Sequence, residues 1–145
     1  MSAAKLYSEI FDEFKKAITD NERINILRKY DHARFRDFLT IAFNPMFQFD
    51  VEIPSYKPAI EPAGLNHTYL DVEVPKLYRF IIRHPKRITH LTPQRQAALL
   101  NTVLESLHKD EATLLCNLIR KNLQVDHLTA KLVLEAFPDI NIKVE

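Results

Sequence analysis

The sequence predicts an all-α fold, a single compact bundle of six or seven helices with one long Pro-rich connecting loop. Three observations carry this expectation. Apolar residues recur at spacings of three and four through most of the chain, the period of a helix with one buried face. Only one of the 145 residues is glycine, Gly64, and glycine costs a helix interior about 1 kcal/mol relative to alanine. Six of the eight prolines are at 45, 54, 58, 62, 75 and 85, so most fall in or beside a single stretch, which marks the connection.

Each element follows in order. Over residues 3–19, Leu6, Ile10, Phe14 and Ala17 form a helical stripe widened by Tyr7, Phe11 and Ile18. Asp20-Asn21 stops it, and a second helix is expected over 22–30 with Ile24, Ile26 and Leu27 inward. A third covers 32–43, with Phe35, Phe38, Leu39 and Ala42 on one face. Asn44-Pro45 ends it, because proline disfavours helical geometry at the preceding residue. From Met46 to Glu73 the chain reads as an ordered loop, with a short extended piece at Phe47-Gln48-Phe49-Asp50-Val51 and apolar Tyr56, Ile60, Leu65, Tyr69 and Leu70. Pro75 suits a first helical position and opens a helix to about His84, with Leu77, Tyr78 and Ile81 facing the core. Thr92-Pro93 is an N-cap and first residue for a helix to about His108, with Ala97, Leu100, Leu104 and Leu107 inward. Asp110 is expected to cap the next helix, which buries Ala112, Leu115, Cys116 and Ile119. A short last helix begins at Asp126 or His127 and closes at Phe137-Pro138. Residues 1–138 thus form one domain, and 139–145 are expected to be a C-terminal tail.

Composition narrows the function classes. Apolar residues are 46 % and charged residues 27 % of the chain, as in ordinary globular proteins. The formal net charge is +1, so no strongly basic coat surrounds the whole molecule. A single cysteine excludes an internal disulfide framework and a Cys-rich zinc site. A P-loop, a Gly-x-Gly-x-x-Gly turn and a Gly-x-Ser-x-Gly elbow each need at least two glycines, and all are excluded in their usual form. Met-Ser-Ala-Ala-Lys opens into a charged segment rather than an apolar signal. No apolar run approaches the roughly 20 residues of a membrane span, so a soluble intracellular protein is expected.

Catalytic signals are thin. Six histidines are present without a His-Glu-x-x-His pair, and His84 and His90 lie in a region without carboxylates. No metal and no cofactor is expected. Cys116 sits in Leu114-Leu115-Cys116-Asn117-Leu118 and reads as a buried small hydrophobe rather than a nucleophile. The adjacent carboxylates Asp12-Glu13 and Asp110-Glu111 read as solvated positions on helices or caps. The expected protein is not an enzyme.

One charge feature departs from the near-neutral total. Between Val74 and Leu104 there is no Asp or Glu, while Lys76, Arg79, Arg83, Lys86, Arg87 and Arg95 supply six positive charges. Lys76, Arg79 and Arg83 share one face of a helix opening at Pro75, and Lys86-Arg87 extends that patch. The N-terminus of the helix after Thr92, with its free N–H groups and positive dipole, is expected nearby. Such a surface suits phosphate. The alternative is a solvated face balanced by Glu9, Asp12, Glu13, Asp20 and Glu22 of the first two helices.

The order of motifs resembles the N-terminal α-helical DNA-binding domain of ATP-dependent DNA ligases, the viral ones especially. The matching pieces are Ile26-Leu27-Arg28-Lys29, Ala42-Phe43-Asn44-Pro45 with Phe49-Asp50-Val51, and Leu91-Thr92 before a leucine-rich helix. The Leu114–Leu123 segment and the closing Ala136-Phe137-Pro138 complete the series. The resemblance implies a grip on duplex DNA through backbone phosphates in the minor groove. The family's Thr-Gly-Asn turn reads Thr92-Pro93-Gln94 here, a glycine is missing near Gln124-Val125-Asp126, and Leu134-Glu135 replaces Asn-Lys. The Lys-x-Asp-Gly adenylation motif is absent. A closer resemblance is to small uncharacterised proteins of contractile-tailed phages of marine bacteria. Leu107-His108-Lys109-Asp110-Glu111-Ala112, Leu115-Cys116 and Glu135-Ala136-Phe137-Pro138-Asp139-Ile140 carry it, with Pro62-Ala63-Gly64, His67-Thr68 and Lys76-Leu77-Tyr78. It implies a phage protein acting in the host cytoplasm.

Two functions stand as expectations. One is a stand-alone, non-enzymatic module that contacts duplex phosphates without reading sequence. Its candidate residues are Lys76, Arg79, Arg83, Lys86, Arg87, Thr92, Arg95 and Lys121. The other is a protein-interaction adaptor acting on phage replication proteins or a host target through the 46–73 loop. The acid-free window favours the first, and the net charge and missing glycines favour the second.

Overall fold

The apolar stripe Tyr7, Ile10, Phe11 and Phe14 winds into α1 (Tyr7–Lys16), whose first turn is closed by Glu9 Oε1 accepting from the Leu6 N–H at 2.9 Å. In this computed structural model the described residues are 6–57, 68–81 and 92–142, the Tyr78 side chain excepted. The first helix is shorter than its stripe suggests. Ala17 is extended and Ile18, expected in the core, is 83 % exposed. The reason is a competing start: Thr19 Oγ1 accepts from the Glu22 N–H at 3.2 Å and opens α2 (Asp20–Lys29) two residues before the expected position. Leu27 is fully buried in α2, while Ile24 and Ile26 are half-buried against the core. The third helix, α3 (Ala33–Phe43), buries Phe35, Phe38, Leu39 and Ala42 as its spacing requires.

The connection after Asn44 is only partly a loop. Phe49, Val51, Ile53 and Tyr56 pack their side chains against the core. The expected extended piece is one antiparallel bridge between Phe49 and Ile81, with the Asp50 N–H donating to the Phe80 carbonyl at 2.8 Å. Residues 58–67, including Ile60 and Leu65, lie outside the described ones. Helix resumes at Leu70 rather than Pro75, as the single turn α4 (Leu70–Glu73), and continues as a 3-10 helix over Val74–Phe80. Val74, Leu77 and Phe80 are buried at spacings of three, the 3-10 period, which explains why this segment tightens. The expected extension to His84 falls beyond the described residues.

Thr92 Oγ1 caps α5 (Pro93–Ser106) by accepting from the Arg95 N–H at 3.2 Å, with Pro93 at the first helical position. Leu100, Leu104 and Leu107 are buried as expected, joined by Gln96 and Val103. The cap of α6 (Lys109–Ile119) is His108 rather than Asp110, its Nδ1 accepting from the Asp110 N–H at 3.2 Å. Similarly, α7 (Ala130–Ala136) starts at the Thr129 cap rather than at Asp126 or His127. Leu100, Leu104, Leu115, Cys116 and Ile119 share one core with the aromatic residues of α1 and α3.

Residues 139–142, expected as part of a tail, pack onto the body. Ile140 and Ile142 are buried, the Asn141 carbonyl accepts from Asn44 Nδ2 at 2.9 Å, and Asp139 pairs with Arg36 at 3.1 Å. Arg28 ties the same region down from α2, donating to the Ala136 and Glu135 carbonyls at 3.0 Å each. Its guanidinium thereby meets the carbonyl groups that α7 leaves unpaired at its end. Among the described residues there is no strand, and no described helix is long and apolar enough to cross a membrane.

Candidate nucleic-acid interface

Lys76 and Arg79 lie three residues apart on the 3-10 helix, where side chains at that spacing stack in one line. Lys76 is exposed and makes no ion pair among the described residues. Arg79 is held on three sides: Nε donates to the Lys76 carbonyl at 3.1 Å, Nη2 lies 3.9 Å from the nearly buried Glu73 carboxylate, and the guanidinium sits over the Phe80 ring. The buried Gln96 side chain reaches the Arg79 carbonyl at 3.5 Å, which sets the end of the 3-10 helix against the first turn of α5. Exposed Arg95 stands in that turn, its N–H taken by Thr92. Arg83, Lys86 and Arg87 lie outside the described residues.

Four of the five acids that would balance this face are engaged elsewhere. Glu9 closes the first turn of α1, Glu13 pairs with Lys29 at 3.1 Å, Asp20 with Arg23 at 2.7 Å, and Glu22 accepts from the Ile18 N–H at 3.0 Å. Those contacts join α1 and α2 to themselves and to each other.

Lys121 occupies a different setting. Its backbone takes φ 62°, the left-handed conformation that ends α6. The Lys121 N–H donates to the Leu118 carbonyl at 2.9 Å and the Asn122 N–H to Asn117 at 3.0 Å, a Schellman closure in which glycine is the usual residue. Lysine gives up roughly 1–2 kcal/mol to adopt that conformation. Its side chain offsets the cost, because Nζ donates to the carbonyls of Ile41 and Asn44 at the end of α3. The ammonium thus caps a second helix and is committed to it.

A polar network absent from the sequence reading centres on two carboxylates. Glu111 is completely buried, and its oxygens accept from the Tyr7 and Leu70 N–H groups at 2.9 Å each, capping α1 and α4 from α6. Burial pushes its carboxyl above the usual range, despite those two hydrogen bonds. Read as solvated from Asp110-Glu111, Glu111 in fact stands three, four and seven residues before the buried Leu114, Leu115 and Leu118. That spacing on an apolar stripe was the available signal. Asp71 accepts from the Tyr7 hydroxyl at 2.6 Å, His32 Nε2 at 2.7 Å and Arg34 Nη1 at 3.3 Å. His32 Nδ1 meets the Tyr30 carbonyl at 3.0 Å, so neither ring nitrogen is free in this arrangement.

Burial acts to raise the Asp71 carboxyl, and the bonds from Tyr7, His32 and Arg34 outweigh it and hold the carboxyl low. A depressed folded value contributes stability that is present above the unfolded value of about 3.9 and lost as pH falls through the folded one. Asp71→Asn is therefore expected to cost about 2 kcal/mol at pH 7, with the gap narrowing at pH 3. Urea midpoints of both proteins at the two pH values check this, and an equal gap at both would refute it.

Other expected chemistry is quickly placed. Cys116 is buried in the core, and burial raises its thiol. Among the described residues no group of three or more His, Cys, Asp or Glu side chains is arranged to hold a metal ion.

A family model, described as a family of unknown function (DUF6433), matches residues 10–125. The chain belongs to DUF6433. Comparison with curated proteins and with solved structures finds no match. The DUF6433 match runs from within α1 to just past α6 and includes Asp71, Glu111, Lys121 and all of the basic segment from Lys76 to Arg95. It ends before α7 and the packed 139–142 segment.

Proposed function

We propose that this DUF6433 protein is a non-enzymatic, duplex-DNA-binding module of phage origin, working in the host cytoplasm. Lys76, Arg79 and Arg95, with the Thr92-capped start of α5, contact backbone phosphates without reading sequence. Arg83, Lys86 and Arg87 extend the same basic segment. The observation that carries this reading is the pair of exposed cations Lys76 and Arg95, which have no ion-pair partner among the described residues, beside the Gln96–Arg79 contact. Unpaired cations on an acid-free segment have no partner to give up when phosphate arrives. Arg79, held by Glu73 and Phe80, presents its guanidinium with little ordering left to do. Lys121 is left out, since its ammonium is spent on α3.

Electrophoretic shift with nicked and intact duplexes at two salt concentrations tests the proposal. Binding should be similar for unrelated sequences and fall steeply with salt. Lys76→Ala and Arg95→Ala should each weaken every duplex about equally and lower the salt slope by about one. Folding should change by less than about 1 kcal/mol, as is usual for exposed charges. Absence of duplex binding at low salt would refute the proposal and favour the adaptor, for which exposed Met46, Tyr69 and Val72 are the supporting observation.

A further inference from the structure

The segment formed by α4 and the 3-10 helix buries Leu70, Val74, Leu77 and Phe80. Helical spacing leaves Tyr69, Val72, Lys76 and Arg79, three and four residues apart, on its outer side. Tyr69 and Val72 are 37 % and 42 % exposed, so an aromatic and an aliphatic side chain stand in water in line with two cations. Tyr69 serves the fold through its backbone, its carbonyl accepting from the Val72 N–H at 3.0 Å, and gives α4 no side-chain cap. Among the described residues its hydroxyl makes no hydrogen bond and its ring meets no other ring. The two acids of the segment are engaged: Asp71 by Tyr7, His32 and Arg34, and the nearly buried Glu73 by Arg79.

We infer that Tyr69 is a stacking platform for an unpaired base, and that the preferred partner is duplex DNA continuing into a single strand. This rests on the phosphate-binding reading of Lys76, Arg79 and Arg95. A duplex keeps its base faces inside the stack, out of reach of a surface tyrosine, whereas an unpaired base offers its face to an aromatic ring. Tyr69 lies about 11 Å along the segment from Lys76, by the rises of α and 3-10 helix. A base on Tyr69 and a phosphate on Lys76 therefore belong to one short stretch of strand. Val72, on the turn between them, covers the apolar part of that stretch. The adjoining cations select a polyanion over an apolar protein surface as the occupant. Stacking reads no sequence, since every base has a π-face.

Fluorescence anisotropy on the full chain tests this with a blunt duplex and the same duplex carrying a short single-stranded tail. A fluorescent purine analogue in the tail, next to the junction, reports stacking. The tailed duplex should bind about ten-fold more tightly than the blunt one at equal salt, within the range for one stacked base, and the analogue should be quenched. Tyr69→Ala should bring the tailed duplex down to the blunt affinity and abolish the quench. Its blunt affinity and salt slope should stay at the wild-type values, because stacking releases no counter-ion, and they show that the variant is folded. Tyr69→Phe should keep both preference and quench. A tail preference that survives in Tyr69→Ala, or one lost in Tyr69→Phe, overturns the inference. Equal binding of blunt and tailed duplexes by the unmodified chain overturns it as well and leaves the duplex reading standing. Binding of neither duplex at low salt overturns both.

Discussion

Glu111→Ala is expected to lower the unfolding free energy by about 2–6 kcal/mol, since each buried donor left unsatisfied costs about 1–3 kcal/mol. The two donors are the Tyr7 and Leu70 N–H groups, and no water reaches a residue that is completely buried. Glu111→Gln keeps one acceptor oxygen and sets an amide NH2 against the other N–H, so its cost should be nearer 1–3 kcal/mol. Both penalties should also depend on pH, through the wild-type carboxyl. A carboxyl raised in the folded state contributes stability that is fully present below the unfolded value of about 4.3 and lost as pH rises through the folded value. Neither alanine nor glutamine ionises, so each penalty should be largest at pH 4 and shrink by pH 8. Urea unfolding of the three proteins at both pH values measures this. An alanine variant with the wild-type midpoint would show that Glu111 does not hold α1 and α4. Because α4 leads directly into the 3-10 helix, amide exchange over 70–80 should accelerate most in the alanine variant.

Phe38→Ala should cost about 3–5 kcal/mol, the range for an aromatic side chain removed from a well-packed core. Phe38 is fully buried in α3, with its ring edge-on to Tyr7 at 5.1 Å and tilted to Phe11 at 6.1 Å. Tyr7 is itself fixed at both ends, by its N–H on Glu111 and its hydroxyl on Asp71. The cavity therefore cannot close by a simple shift of Tyr7, which places the cost toward the upper part of the range. Phe38→Leu, which refills much of the volume, should recover more than half of it. A Phe38→Ala protein destabilised by less than about 1 kcal/mol would mean that α1 and α3 do not meet as described.

The motif residues quoted for the ligase resemblance have clear structural work in this fold. Arg28 of Ile26-Leu27-Arg28-Lys29 reaches Ala136 of the closing Ala136-Phe137-Pro138, so two sequence motifs meet in one contact. Asn44 of Ala42-Phe43-Asn44-Pro45 caps the following turn through the Met46 N–H and holds Asn141. Lys121 of the Leu114–Leu123 segment reaches the same α3 terminus. These contacts account for the spacing of those motifs without a ligand. Among the described residues, Lys76 and Arg95 of the basic segment have no comparable internal duty, whereas Arg79 does.

The sequence by itself determined the helical fold class and the interior faces of α1, α3, α5 and α6. Those faces rest on apolar spacing within ten to fourteen residues, a local property that needs no knowledge of neighbours. It also determined the Thr92-Pro93 start and the acid-free basic segment, since caps and charge are read directly from residue identity. Tertiary structure alone decided where helix resumes after the proline-rich stretch, because the cap on Leu70 is a carboxylate forty-one residues away. It decided that Glu111 is buried, because its partners are the N–H groups of two other helices. It likewise decided that Lys121 serves α3 rather than solvent, through carbonyls some eighty residues earlier. Local spacing sets which face of a helix is apolar; satisfying the polar groups at the helix ends depends on chain that is distant in sequence.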